Sequence, residues 1–173
     1  MTNAQGNSAL LVIDVQNGVV MNAWQKEPIV ARINSAIDSA RSAGMPVVWV
    51  QHSEEEMPIG SDFWQIIPEL VPQGNDARID KIHGSSFEET NLAEVLSGYG
   101  TKHLYVTGAQ SENCVNATTV DALGRGFEVT LISDAHTTDE ASVVGDINQK
   151  FAALETGGKT VVVKTLAETL PLS

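Results

Sequence analysis

The chain has 173 residues, 42% of them hydrophobic, which is the size and apolar content of one domain with a substantial core. Its 22 acidic and 10 basic residues give a formal net charge of −12, and no two lysines or arginines are adjacent, which excludes the basic stripe that nucleic-acid binding requires. No stretch approaches the length of a membrane span, and Met1 to Asn7 has neither a basic region nor an apolar leader, so a soluble cytoplasmic protein with no membrane partner is expected.

Ala9 to Ile13 is a continuous apolar run of the kind that a strand buried on both faces needs, and it ends at Asp14. Ile29 to Ala43 carries isoleucines at 29, 33 and 37, the spacing of one helix face, and Gly44 is a helix stop before a second strand, Pro46 to Val50. From His52 to Ala77 the chain is irregular, with Pro58, Gly60, Pro68, Pro72 and Gly74 and at most a helical turn near Phe63 to Ile67. So long a loop in a compact domain is more often functional than idle. A weak third strand at Arg78 to Ile82 follows, then a helix at Glu88 to Ser97, a fourth strand at Lys102 to Thr107 and a helix at Val115 to Arg125. Phe127 to Ser133, Glu140 to Leu154 and Thr160 to Lys164 complete the pattern as strand, helix and strand.

Six strands alternating with helices predict one α/β domain over residues 1–173. Its three α/β/α layers would be built on a six-stranded parallel sheet with Rossmann-like order 3-2-1-4-5-6. In such sheets ligands bind outside the carboxyl ends of the strands, where strand order reverses. Asp14 ends the first strand, Lys81 ends the third, and Cys114, the only cysteine, opens the helix after the fourth. A thiol is a weak nucleophile until a base takes its proton or a cation lowers its pKa, and free N–H groups at a helix entrance favour a thiolate or an oxyanion beside it. Asp14 supplies the base and Lys81 the cation. Gln16, Phe63, Trp64, His83 and Glu112 fall near the same crevice and are candidate substrate contacts.

Three separated blocks carry a resemblance: Leu11-Val12-Ile13-Asp14-Val15-Gln16; Lys81 with Ser86-Phe87; and Gly108-Ala109-Gln110-Ser111-Glu112-Asn113-Cys114-Val115 with Asp121-Ala122 and Asp134-Ala135. Together they resemble the isochorismatase-like cysteine hydrolases, from Leu10 to Val163. The resemblance implies an Asp14-Lys81-Cys114 triad, an oxyanion hole from the backbone N–H groups of Gln110 and Cys114, and a cis peptide at Ala109-Gln110. It also implies hydrolysis of a small amide or carbamoyl substrate through a thioester, with no cofactor, by a homo-oligomer. Nicotinamidases of this group carry an Asp-x-His after strand two. Here Gln51-His52-Ser53 stands there and the four histidines are scattered singly, so no metal is expected. The run Glu54-Glu55-Glu56 reads as a solvated loop face.

True isochorismatases cleave a vinyl ether and typically lack the cysteine, so Cys114 points away from that alternative. A dinucleotide site is excluded by Asp14-Val15-Gln16-Asn17-Gly18, which has no G-x-G-x-x-G. A non-enzymatic module using a reactive thiol for redox sensing or binding stays open as the other reading.

Overall fold

The computed structural model describes residues 6–173. Their central sheet has seven strands in the order β3-β2-β1-β4-β5-β7-β6: β1 (Ser8–Ile13), β2 (Val47–His52), β3 (Ala77–Lys81), β4 (His103–Ala109), β5 (Glu128–Thr137), β6 (Glu155–Thr156) and β7 (Lys159–Lys164). The first five and β7 are parallel and reproduce the expected 3-2-1-4-5-6 order. The seventh strand is an addition. Glu155–Thr156 folds back antiparallel on Lys159–Lys164 through Gly157 and Gly158, both at positive φ, the conformation a two-residue hairpin loop demands and glycine supplies.

Because successive side chains of a strand point to opposite faces, β1 divides its residues between two cores. Leu10 and Val12 pack with Ile29, Ile33 and Ile37 of helix α1 (Lys26–Ser42) and with Leu166 of the short helix α5 (Leu166–Thr169). Ala9, Leu11 and Ile13 pack on the other face, against α2 (Leu92–Gly98), α3 (Asn116–Gly124) and α4 (Ala141–Ala153). All six β1 residues are buried, which explains the unbroken apolar run. Among the described residues, no helix is long and apolar enough to cross a membrane.

Two elements depart from the pattern read from the sequence. The helix after β4 is entered through a π-helical turn, Ser111–Val115, before α3 begins at Asn116. β5 runs four residues past the expected Ser133, to Thr137, because a register shift between Val106 and Gly108 lets His136 and Thr137 pair beside Gly108 and Ala109. In the long loop, the region near Phe63 forms two i→i+3 turns, Ser61 to Trp64 and Asp62 to Gln65, and Ile66 then bridges to Gln16.

At Gly108, β4 runs tightly against β1. The glycine has φ +123°, and a Cβ there would overlap the backbone of Ile13, immediately before Asp14. Only glycine allows the two strand ends to meet at this distance. Gly108→Ala is therefore expected to destabilise the protein by about 3 kcal/mol or more, read as a lowered urea midpoint; a midpoint equal to that of the parent would contradict this account.

Candidate active site

The carboxyl ends of β1, β2, β3 and β4 meet at one point, occupied by the ammonium of Lys81. Lys81 is 2% exposed at the end of an edge strand, and its Nζ lies 2.9 Å from Asp14 Oδ2, 3.1 Å from Cys114 Sγ, 3.1 Å from His52 Nδ1 and 2.9 Å from the His83 carbonyl oxygen. An ammonium has three protons, so four acceptors share three donors and the cation is saturated. The contact assigns the His52 tautomer: Nδ1 accepts from Lys81, so the ring proton sits on Nε2, 3.6 Å from Glu54 Oε2.

The ligand atoms of Asp14, His52 and Cys114 all lie within 4.8 Å of one another, a grouping that could hold a metal ion. The point on which they converge is already taken by Lys81 Nζ. A divalent cation would have to displace a buried ammonium.

Asp14 itself has φ +51°, in the left-handed region, and its N–H donates to the Val50 carbonyl as the last rung of the β1–β2 ladder. The chain turns away at once, leaving the carboxylate 1% exposed at the floor of a cavity of about 360 Å³. Asp14 Oδ1 has no protein hydrogen-bond partner. Burial raises the Asp14 pKa above its ordinary 3.8, against the opposing pull of Lys81.

Cys114 is half-buried on the wall of this cavity, with Gln110 and Asn113 beside it and Val19, His52, Glu54 and Met57 across from it. The Ala109–Gln110 peptide is cis. The Gln110 carbonyl accepts from the N–H groups of Asn113 and Val115, on either side of Cys114, and the five-residue reach of the Val115 bond is the wider spacing of the π turn. From behind, the elbow is held by His136: Ser111 Oγ lies 2.7 Å from His136 Nδ1, and His136 Nε2 lies 2.8 Å from Asn148 Oδ1. Asn148 Nδ2 donates to the Ser133 carbonyl, so its oxygen is free to accept and the His136 proton sits on Nε2.

The thiol differs from the expectation that Lys81 and the helix entrance would acidify it. Its pKa is pushed up to about 12, first by burial and then by the neighbouring Asp14 carboxylate, which together outweigh Lys81. The thiol is therefore the favoured form of Cys114, and a reaction through this sulfur requires its proton to move.

The five candidate substrate contacts surround the cavity without forming its wall among the described residues. Gln16 is fully buried and clamps the entrance loop: its Nε2 donates to the carbonyls of His52 and Trp64, and its Oε1 accepts from the His52 N–H. Phe63 is half-exposed, its carbonyl accepting from Gly18 N–H. Trp64 offers its carbonyl to Gln16 and Gln51, and its buried Nε1 has no partner. His83 faces Glu89 at 3.1 Å and serves Lys81 through its carbonyl. Glu112 accepts from Thr138 and Asn113 through Oε1, while Oε2 is buried and unpartnered. The sequence reading missed His52 and Glu54. The available signal was position: His52 ends β2 on the same sheet edge as Asp14 and Lys81.

The Isochorismatase domain family model matches residues 8–164 of the chain. The chain belongs to the isochorismatase family. A secreted isochorismatase effector, Isc1, of Verticillium dahliae is 31% identical over 144 residues, covering 78% of this chain and 74% of that protein. A streptothricin hydrolase of Streptomyces noursei is 34% identical over 152 residues, covering 84% of this chain; the match spans 60% of the relative's length. The crystal structure of an isochorismatase family protein superposes with TM-score 0.85 at 28% identity, over 94% of this chain and 100% of that one. A cysteine hydrolase from Pseudomonas syringae pv. phaseolicola 1448A shares the fold, with TM-score 0.84 at 21% identity over 94% and 90% of the two chains. Membership of this family makes the chain an isochorismatase-family hydrolase.

Burial holds His136 below the ordinary imidazole pKa of 6.5, so it is neutral in the fold. The unfolded chain takes up a proton at 6.5 that the folded chain refuses until a lower pH. Stability is therefore complete above 6.5 and falls on acidification, by up to about 1.4 kcal/mol per pH unit for this one group. Urea midpoints measured between about pH 8 and 5 should show this loss, and His136→Gln should flatten the profile relative to its own value at neutral pH. An equally steep profile in the variant would assign the loss to other groups.

Proposed function

We propose that this protein is a cysteine hydrolase that cleaves the C–N bond of a small amide or carbamoyl compound through a thioester on Cys114. The observation that carries the reading is the placement of a thiol and a carboxylate about one buried ammonium at the floor of an open cavity. As Cys114 Sγ attacks the carbonyl carbon, Asp14 takes the thiol proton, and the electrons of the C=O bond move to oxygen. The backbone N–H groups of Gln110 and Cys114 stabilise that oxyanion; one such donor typically contributes ~10²–10³ in rate. The C–N bond then breaks, the amine leaves with the proton held by Asp14, and a thioester remains. Water attacks the thioester, Asp14 again receives a proton, and the carboxylic acid departs as the thiol is restored.

Lys81 keeps its positive charge throughout. It fixes the carboxylate beside the sulfur and offsets the charge that passes between them. The raised thiol pKa favours this coupled transfer over a standing thiolate. It also speaks against a peroxide-sensing role, since sensor cysteines are low-pKa and exposed. The streptothricin hydrolase among the relatives supports hydrolysis of substrates other than isochorismate within this family.

Ammonia release from a panel of small amides and carbamoyl compounds tests the proposal. Cys114→Ala is expected to abolish turnover and to remove the acyl adduct seen by intact mass on the parent; equal turnover by both proteins would remove Cys114 from the nucleophile role. A second expectation concerns pH. Asp14 must be ionised to accept the proton and its pKa is raised, so kcat/KM should fall on acidification with a midpoint above the ordinary carboxylate value of 3.8. Asp14→Asn should lower kcat/KM by about 10²–10⁴-fold and abolish that acid limb; a variant that retains the limb would place the base elsewhere.

A further inference from the structure

The cavity is bounded by three segments, residues 14–20, 52–57 and 110–114, and their charges all have one sign. They contain five carboxylates, Asp14, Glu54, Glu55, Glu56 and Glu112, and no lysine or arginine. Glu54 stands on the cavity wall itself, its side chain 56% exposed, on a turn closed by reciprocal hydrogen bonds between the backbones of Glu54 and Met57. Lys81 does not relieve this field. Its ammonium is sealed beneath the floor, with four acceptors for three protons, and its charge is matched by Asp14 at 2.9 Å. Asp14 lines the cavity, and its buried Oδ1 is an acceptor with no protein partner.

We propose that this cavity selects substrates by charge: amides bearing an ammonium or other cationic group are preferred, neutral ones are accepted, and carboxylates are rejected, with Glu54 as the specificity-determining residue. The proposal rests on the reading of the Cys114 cavity as the substrate site and adds the class of substrate to it. A cationic group seated at the rim meets Glu54, while the amide end reaches the sulfur beside Asp14. A carboxylate in the same position meets Glu54 and finds no lysine or arginine among the described residues of the wall. The dicarboxylate isochorismate, from which the family takes its name, falls in the rejected class.

Cys114 is the only cysteine, so its modification rate reports the local potential without any turnover. The probes are three methanethiosulfonates, carrying an aminoethyl, a methyl and a sulfonatoethyl group. Each forms a mixed disulfide with Sγ and releases methanesulfinate, and each rate, followed by intact mass, is normalised to the same reagent's rate with free cysteine. The expected order is cationic, then neutral, then anionic, with about three- to tenfold between steps at low salt and a narrower spread at about 0.5 M salt. Glu54→Gln should shrink the cationic-to-anionic ratio several-fold, and Glu54→Lys should move it further in the same direction. An anionic probe that reacts as fast as the cationic one overturns the proposal, as does a ratio unmoved by both substitutions or a Cys114 that none of the probes reaches. Failure of the hydrolase reading would appear separately, as absence of ammonia release from every amide while the charge order of the probes stands.

Discussion

One buried ammonium organises the site. A lysine at the end of an edge strand would ordinarily extend its head group into water, and sealing it at 2% exposure is unfavourable unless partners replace its hydration. Those partners come from three other places in the chain: Asp14 at the end of β1, His52 at the end of β2 and Cys114 at the entrance to α3. Each must arrive within about 3 Å of the same nitrogen. The sheet has to hold four strand ends in one register to meet that requirement, and Gly108 is where its tolerance is smallest, since the Ile13 backbone leaves no room for a side chain. Gln16 performs the corresponding task for the loop, fixing both backbone polar groups of His52 with a single buried amide.

The same burial that makes Lys81 dependent on its neighbours sets the chemistry. Removal of water raises the pKa of Asp14 and of Cys114 together, because in both the ionised form is the charged one. A lysine shared by both cannot lower both at once. Its nitrogen lies 2.9 Å from Asp14 Oδ2 and 3.1 Å from Cys114 Sγ, and at the sulfur burial and the Asp14 charge together outweigh it, so the thiol remains protonated. The result is a carboxyl group and a thiol side by side, which the proposed mechanism uses as base and acid when a carbonyl arrives to accept the sulfur electrons. The elbow follows from the same constraint. A π turn shifts the donors to Gln110 onto residues flanking Cys114, and His136 holds Ser111 from the far side, leaving the cysteine to face the cavity.

The architecture was legible because it depends on patterns that sequence carries directly. The unbroken run at Ala9 to Ile13, the 29-33-37 spacing of α1 and the strands at Pro46, Lys102 and Phe127 each reflect which faces are covered. The residue pair Gly157-Gly158 carried a hairpin signal too, but a two-residue strand such as Glu155–Thr156 has no periodicity to read. The convergence of Asp14, Lys81 and Cys114 followed from their places at strand ends. What did not follow was anything set by side-chain reach or by the course of irregular backbone. Gln16 lies two residues after Asp14, yet it turns inward to hold a loop, and Trp64 serves the site through its carbonyl. His52 looked like an isolated histidine because its partners are 38, 29 and 62 residues away along the chain. The direction of the Cys114 shift was misjudged for a related reason: helix entrance and lysine were visible as residues, while the degree of burial that outweighs them exists only in the fold.

The proposed function depends on keeping two uses of charge apart. An enzyme that recognises an anionic substrate needs a cation that is still short of partners when the substrate arrives. Here the cation at the site is saturated, and the chain's overall charge of −12 is continued rather than interrupted at the cavity mouth. Lys81 therefore acts downward, on Asp14 and the sulfur, and the rim acts upward, on whatever approaches. A protein that turned the same lysine toward the cavity would gain affinity for carboxylates and lose the fixed carboxylate that, in the proposed mechanism, receives the thiol proton. The side of the floor on which the ammonium is sealed thus connects the choice of nucleophile to the choice of substrate.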